Sequence, residues 1–147
     1  MGYYVNGYDE FHEIGEAIAA GEQALSSLRE AESALDSAGS WGIWDILGGN
    51  IITGMIKHSR IDEARSYLEH AKSCLYAFQQ EIYDVRGLES LTVDIGGFLT
   101  FADFFLDGFI ADLIVQSKID DAKQQVQGAI AMVCHALDIL YQRRNAL

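Results

Sequence analysis

Two residue types that shape loops and cross-links are scarce in this chain: proline is absent, and only two of the 147 residues are cysteine. Because proline is the residue that most reliably interrupts helices, its absence permits long uninterrupted helices. Cys74 and Cys134 each lie in a helical pattern and lack the C-x-x-C or paired spacing of disulfide, redox or zinc sites. We therefore predict two buried free thiols.

Positive charge is also scarce. Ten Lys and Arg residues stand against 22 Asp and Glu residues, which gives a formal net charge of -12. A chain of this charge repels nucleic-acid phosphates and anionic membrane surfaces, so we expect no nucleic-acid partner. The first residues contain no basic stretch followed by an apolar run, so we predict no export signal and expect a cytoplasmic protein.

The familiar catalytic motifs are missing as well. The sequence has no G-x-S-x-G elbow, no glycine-rich phosphate loop followed by Lys and Ser or Thr, and no H-E-x-x-H. This lowers the expectation of an enzyme, and we predict no catalytic residue and no cofactor.

The strongest pattern that is present is a heptad seam, in which apolar and small residues recur at alternating steps of three and four. Two such seams predict two long amphipathic helices. A weaker apolar stripe predicts a third long amphipathic helix, over roughly Asp9 to Ser37. The seams are Ile61, Ala64, Leu68, Ala71, Leu75, Phe78, Ile82 and Val85, then Ile119, Ala122, Val126, Ala129, Val133, Ala136 and Leu140; the stripe is Ile14, Ile18, Gly21, Leu25, Leu28 and Leu35.

The shift that aligns the two seams also aligns the segments before them, so that residues 39–86 match 97–144. Within the match, SRIDEA at 59–64 corresponds to SKIDDA at 117–122. Each string is typical of a helix start, with a Ser cap and an acid three residues on. The predicted capping residues are Ser59 with Asp62 and Ser117 with Asp120. We infer an internal duplication inside one domain that spans residues 1–147.

Two segments, Trp41 to Ile56 and Leu99 to Val115, are apolar on nearly all sides and are expected in the interior. Asp103, Asp107 and Asp112 argue against a membrane span in the second segment. The predicted fold is all-α: an internally duplicated antiparallel bundle of about five helices, in which three long amphipathic helices pack two short apolar ones.

Three strings resemble segments of a family of uncharacterised bacterial cytoplasmic helical proteins: WDILGG at 44–49, KHSRIDEA at 57–64 and ADFFLDGF at 102–109. The resemblance covers roughly the central half of the chain. That family has no known activity, so the resemblance implies a bacterial cytoplasmic protein and adds no mechanism.

Acids in apolar surroundings are the candidate site residues, because a buried carboxylate is costly unless it is paired or bound to a cation. Asp103 and Asp107 are four residues apart on one helix face, and Asp45 occupies the position equivalent to Asp103. These three predict a ligand or metal site, of which the metal is unknown. The alternative is that Asp103 forms a capping box with Thr100, and that Asp45 lies in the first turn after Gly42.

The histidines offer weaker signals. Asp9 and His12 have the i, i+3 spacing of a carboxylate and imidazole in di-metal bundles, but this spacing occurs once. Because Glu10, Glu13 and Glu16 surround it, we interpret the segment as a solvated acidic face.

Three functions are compatible with these features. The first is a non-catalytic helical interaction or scaffold protein that forms a homo-oligomer or binds a protein partner, because a five-helix core leaves part of the aromatic surplus uncovered. The second is a carboxylate-lined bundle that binds a metal or small ligand. The third is a protein that binds membranes reversibly by opening its apolar helices, without stable insertion.

Overall fold

The computed structural model describes residues 4–5, 8–48, 51–85, 97–103, 105 and 118–147, and side chains for residues 9–37, 62–85, 97–103, 105 and 118–147. These residues form four helices: α1 (Glu10–Gly48), α2 (Ile51–Asp84), α3 (97–103, with residue 105 also helical) and α4 (Ile119–Asn145). A two-residue antiparallel pairing of β1 (Tyr4–Val5) with β2 (Tyr8–Asp9) precedes α1. The prediction of a helical fold is confirmed.

The start of α1 is encoded locally. Asp9 stands directly before the helix, and its Oδ1 accepts a hydrogen bond from the backbone N–H of His12 at 3.4 Å. A side-chain oxygen in this place satisfies one of the N–H groups that a helix start leaves without a partner. Glu10 and Glu13 in the first turn interact favourably with the helix dipole.

The three predicted apolar stripes face the core. Every described member of the α2 and α4 seams is buried, and the α1 stripe is buried apart from Leu25, which is half-buried. Small residues occupy four of the core positions of α1, namely Ala17, Gly21, Ala24 and Ala31. Small residues at these places let the neighbouring helices approach α1 closely.

Contacts along the helices give an antiparallel arrangement in which α1 packs along both α2 and α4. Glu10 of α1 pairs with Arg143 of α4, whereas Asp36 near the other end pairs with Lys123, so the two helices run in opposite directions. Helices α1 and α2 also run in opposite directions. Ser27 of α1 contacts Cys74, whereas Glu16, earlier in α1, lies near Glu81, later in α2.

The helix α3 closes the bundle opposite α1. The ring of Phe98 lies 5.1 Å from the ring of Phe78 in α2, and a Cβ placed on Gly128 of α4 would lie 3.6 Å from Phe101. Gly97 lies beside Met132, so α3 and α4 also run in opposite directions. The described helices thus follow one another around an up-down-up-down four-helix bundle.

The helix count and the helix ends differ from the sequence prediction. Residues 41–48 are the last part of α1 and residues 51–56 are the first part of α2, so the segment Trp41 to Ile56 is not a separate short helix. Four helices occur in the described part of the chain where about five were predicted. Most of the second apolar segment lies outside the described residues.

Candidate functional site

Of the three aspartates predicted to form a ligand or metal site, Asp103 is the one whose side chain is described. It lies on α3, is exposed, and its Oδ1 accepts a hydrogen bond from the Nε2 of Gln79 at 2.7 Å. Gln79 is only 3% exposed, so the exposed carboxylate satisfies the amide of a buried neighbour. Asp103 is therefore not an isolated carboxylate in the interior. The side chains of Asp45 and Asp107 lie outside the described residues, and their predicted approach to Asp103 stays a prediction.

The two copies of the repeated helix-start string occupy different positions. Helix α2 begins at Ile51, so Ser59 and Asp62 lie inside the helix rather than at its start. The second copy does stand at a helix start, because α4 begins at Ile119 with Asp120 in its first turn. The residue that directly precedes α4 is Lys118, which makes no side-chain capping bond, and Ser117 lies outside the described residues.

Three carboxylates meet where the beginning of α1 packs against the end of α2. One oxygen each of Glu13, Glu16 and Glu81 lies within 4.8 Å of the others. Glu13 and Glu81 are half-buried and Glu16 is exposed. We call these three residues the carboxylate cluster. Among the described residues it is the one group of three or more His, Cys, Asp or Glu side chains close enough to share a cation.

The carboxylate cluster concentrates negative charge. Burial, followed by the nearby charges of Glu16, Asp84 and Glu13, raises the pKa of Glu81 above its ordinary value. On the exposed face of α1, Nε2 of His12 lies 2.9 Å from Glu16 Oε1. The arrangement can accept a proton or a cation, because either reduces the repulsion between the carboxylates.

The position of these acids beside the apolar seams is the sequence feature that points to this cluster. Glu81 directly precedes the seam residue Ile82, and Glu13 directly precedes the stripe residue Ile14. Residues beside a seam flank the interface of two antiparallel helices. The sequence alone does not contain the register between α1 and α2, so it predicts a solvated face for Glu13 and Glu16 and does not predict their approach to Glu81.

Polar contacts join α1 to α4 along their whole shared length. The Tyr141 hydroxyl donates a hydrogen bond to Glu22, and this bond, with burial, raises the pKa of Tyr141. Toward the other end, Lys123 Nζ lies 2.6 Å from Asp36 Oδ1, and this bond raises the pKa of Lys123. These contacts are exposed to solvent, so each contributes little to stability.

Both cysteines are free thiols, as predicted, but they are less buried than predicted. Cys74 is half-buried and Cys134 is exposed. Each lies beside a buried seam rather than in it, because residues 74 and 134 directly precede Leu75 and directly follow Val133. The two thiols differ in their surroundings, since only Cys74 has side-chain hydrogen-bond partners among the described residues.

The described helices define a helical-bundle protein in which several polar side chains of neighbouring helices contact each other beside the apolar core. Comparison with known proteins finds no matching family, no matching curated protein and no matching solved structure. Within the described residues, no helix combines the length and apolar character needed to cross a membrane.

Proposed function

We propose that this protein is a non-catalytic helical interaction protein whose partner is a second copy of itself. The observation that carries the proposal is a pair of tyrosines on the outside of α2. Tyr76 and Tyr83 are 56% and 49% exposed and are seven residues apart, so they share one helix face. Tyrosine is enriched at protein interfaces, because its ring offers a large apolar surface and its hydroxyl can still find a partner.

The composition of that face supports the same proposal. Ser73 and Gln80, which share the face of the two rings on α2, are exposed and uncharged, and the exposed Asp84 lies at the edge of that face. We call Ser73, Tyr76, Gln80 and Tyr83 the α2 outer stripe. The preceding outward positions of the same helix carry charge, at Asp62, Arg65 and Glu69.

Charge explains why the partner is a second copy. The chain carries a formal net charge of -12, so most of its surface repels an identical molecule. The α2 outer stripe can meet its own copy about a two-fold axis without placing like charges in direct contact. A self-complementary contact of this kind uses the same surface on both subunits.

Sedimentation velocity of the full chain, from low to high micromolar concentration, tests this proposal. We expect a dimer that dissociates on dilution and strengthens with added NaCl, because salt screens the remaining repulsion. The double substitution Tyr76→Ser and Tyr83→Ser should give a monomer. Gln80→Glu, which keeps both rings and adds a like charge to the stripe, should weaken the dimer as well.

Tyr67→Ser is the matched control, because Tyr67 is a further exposed tyrosine of α2, 37% exposed, that lies outside the stripe. This variant should dimerise like the original chain. A monomer at all concentrations and salt levels, or equal loss of the dimer in the control, would show that the stripe is not the interface.

A second candidate function is binding of a divalent cation, and the observation that favours it is the carboxylate cluster of Glu13, Glu16 and Glu81. Carboxylate oxygens are the ligands that Ca²⁺ and Mg²⁺ prefer. Titration calorimetry and thermal unfolding with each cation alone test it. We expect heat of binding and a higher melting temperature in the original chain and in Glu69→Gln, but not in Glu81→Gln.

Asp103→Asn separates this candidate from the site predicted at Asp45, Asp103 and Asp107. If that variant loses cation binding and Glu81→Gln keeps it, the predicted aspartate site is the one that binds. Equal melting temperatures with and without cation in the original chain would count against both sites.

A further inference from the structure

The surroundings of Cys74 set it apart from the other thiol of the chain. Its Sγ lies 3.2 Å from the hydroxyl of Ser27, which donates to the sulfur, and 3.7 Å from Nε2 of His70. Ser27 comes from α1, whereas His70 and Cys74 are four residues apart on one face of α2. The packing of α1 on α2 therefore completes a Ser-Cys-His group.

Ser27 is the informative member of this group. It is 4% exposed, so its hydroxyl is buried and its one hydrogen bond in the described structure goes to the sulfur of Cys74. A serine inside a helix ordinarily donates to the carbonyl one turn earlier. Here the hydroxyl instead points across the helix interface to a sulfur that is still partly accessible, since Cys74 is half-buried.

We propose that Cys74 is a reactive thiol and a site of reversible modification by small neutral or cationic disulfides. His70 Nε2 accepts the thiol proton, and the Ser27 hydroxyl donates to the resulting thiolate, which is the nucleophilic form of cysteine. The thiolate attacks one sulfur of the disulfide, its S–S bond breaks, and a mixed disulfide forms on Cys74. The displaced thiolate takes up the proton, so atoms and charge balance.

The preference for neutral or cationic disulfides follows from the adjoining surface. Tyr67 lies one helical turn before His70, and Glu30 lies one turn after Ser27. Both line a surface depression of about 280 Å³, together with Glu63. Cys74 does not line this depression, but its two carboxylates, together with the chain's net charge of -12, favour the approach of a cationic reagent over an anionic one. On α2, Glu69 and Lys72 flank His70 and lie 3.9 Å apart, so their charges largely offset each other.

Cys134 provides an internal control in the same chain. It is exposed, and its thiol has no side-chain hydrogen-bond partner among the described residues. Accessibility alone would make Cys134 the faster thiol. The Ser-Cys-His group predicts instead that Cys74 reacts faster than Cys134, after each rate is divided by the rate of the same cysteine in the unfolded chain.

The test is the rate at which cystamine modifies each cysteine of the full chain, followed by mass spectrometry of the two cysteine peptides. Each rate in the folded chain is divided by the rate in guanidinium chloride. We expect the corrected rate of Cys74 to exceed that of Cys134 about tenfold. The anionic glutathione disulfide should modify Cys74 more slowly than cystamine does.

Two substitutions separate chemistry from access. His70→Gln removes the proton acceptor at a largely exposed position, and Ser27→Ala removes the hydroxyl donor; both should lower the Cys74 rate and leave the Cys134 rate unchanged. Circular dichroism checks that each variant remains folded. The proposal is overturned if Cys134 reacts as fast as Cys74 after correction, or if His70→Gln, whose fold is retained, reacts like the original chain.

Discussion

Gly21 is the residue at which α1 comes close to two neighbouring helices at once. A Cβ at this position would lie 2.6 Å from Cδ2 of Leu137 in α4 and 2.8 Å from two ring atoms of Phe78 in α2. Both neighbours are buried, so neither can move aside without disturbing the core. The sequence placed Gly21 on the apolar stripe, and the structure explains why that place holds glycine rather than a larger residue.

We expect Gly21→Ala to lower the free energy of unfolding by about 1–3 kcal/mol, because overpacking outweighs the helix propensity that alanine adds. Gly15→Ala is the matched control on the same helix, since a Cβ there meets nothing within 4 Å. The control should stabilise the chain by roughly 0.5–1 kcal/mol. Urea unfolding followed by circular dichroism measures both free energies. An unchanged or increased free energy of unfolding in Gly21→Ala would contradict the close packing.

Glu81 makes the free energy of unfolding depend on pH. Its pKa is raised in the folded chain by burial and by Glu16, Asp84 and Glu13, so the folded state holds its proton more tightly than the unfolded state. The folded chain therefore loses stability as the pH rises from the ordinary pKa of 4.5 to the raised pKa, because Glu81 must become charged beside other carboxylates. Below 4.5 the residue is protonated in both states and the cost disappears.

Glu81→Gln should accordingly stabilise the chain at neutral pH and leave its stability nearly unchanged at pH values below that window. The gain should be less than about 1 kcal/mol, because solvent screens partly exposed carboxylates. Thermal unfolding across the pH range measures it, with Glu69→Gln as a variant outside the carboxylate cluster. A gain of equal size at every pH would exclude the electrostatic explanation.

At the scale of the elements, the start of α1 was predictable and its end was not. Asp9 followed by Glu10 and Glu13 is a local helix-start pattern, and the structure places the start within one residue of the expected one. The sequence predicts an end near Ser37 and a separate apolar segment from Trp41, yet α1 continues to Gly48. A glycine inside a helix costs only about 1 kcal/mol, which packing can offset, whereas no proline is present to stop the helix.

Asp9→Ala should weaken the beginning of α1 and lower the free energy of unfolding by about 0.5–2 kcal/mol, because the N–H of His12 loses its acceptor. Asp9→Asn keeps a side-chain oxygen and should cost much less. Hydrogen exchange of the first-turn amides shows whether the loss is local. Unchanged exchange in Asp9→Ala would mean that the β1–β2 pairing, rather than the cap, holds this end.

At the scale of the whole molecule, the net charge of -12 opposes compact folding. Cationic contacts such as Lys123 with Asp36 and Arg143 with Glu10 offset part of this repulsion between α1 and α4. We expect moderate NaCl to raise the melting temperature by about 2–4 °C, or roughly 1 kcal/mol in a domain of this size. A melting temperature that falls with salt would show that these ion pairs outweigh the general repulsion.

The sequence by itself determined the helical class and the buried face of each described long helix, because heptad spacing and the absence of proline act through local geometry. It did not determine which residues of different helices meet. The approach of Glu81 to Glu13 and Glu16, and of Ser27 to Cys74, depends on the register between α1 and α2. The register depends on how the side chains of the two helices pack against each other, including the close approach at Gly21. The pattern within each helix does not specify which residues of the other helix it meets.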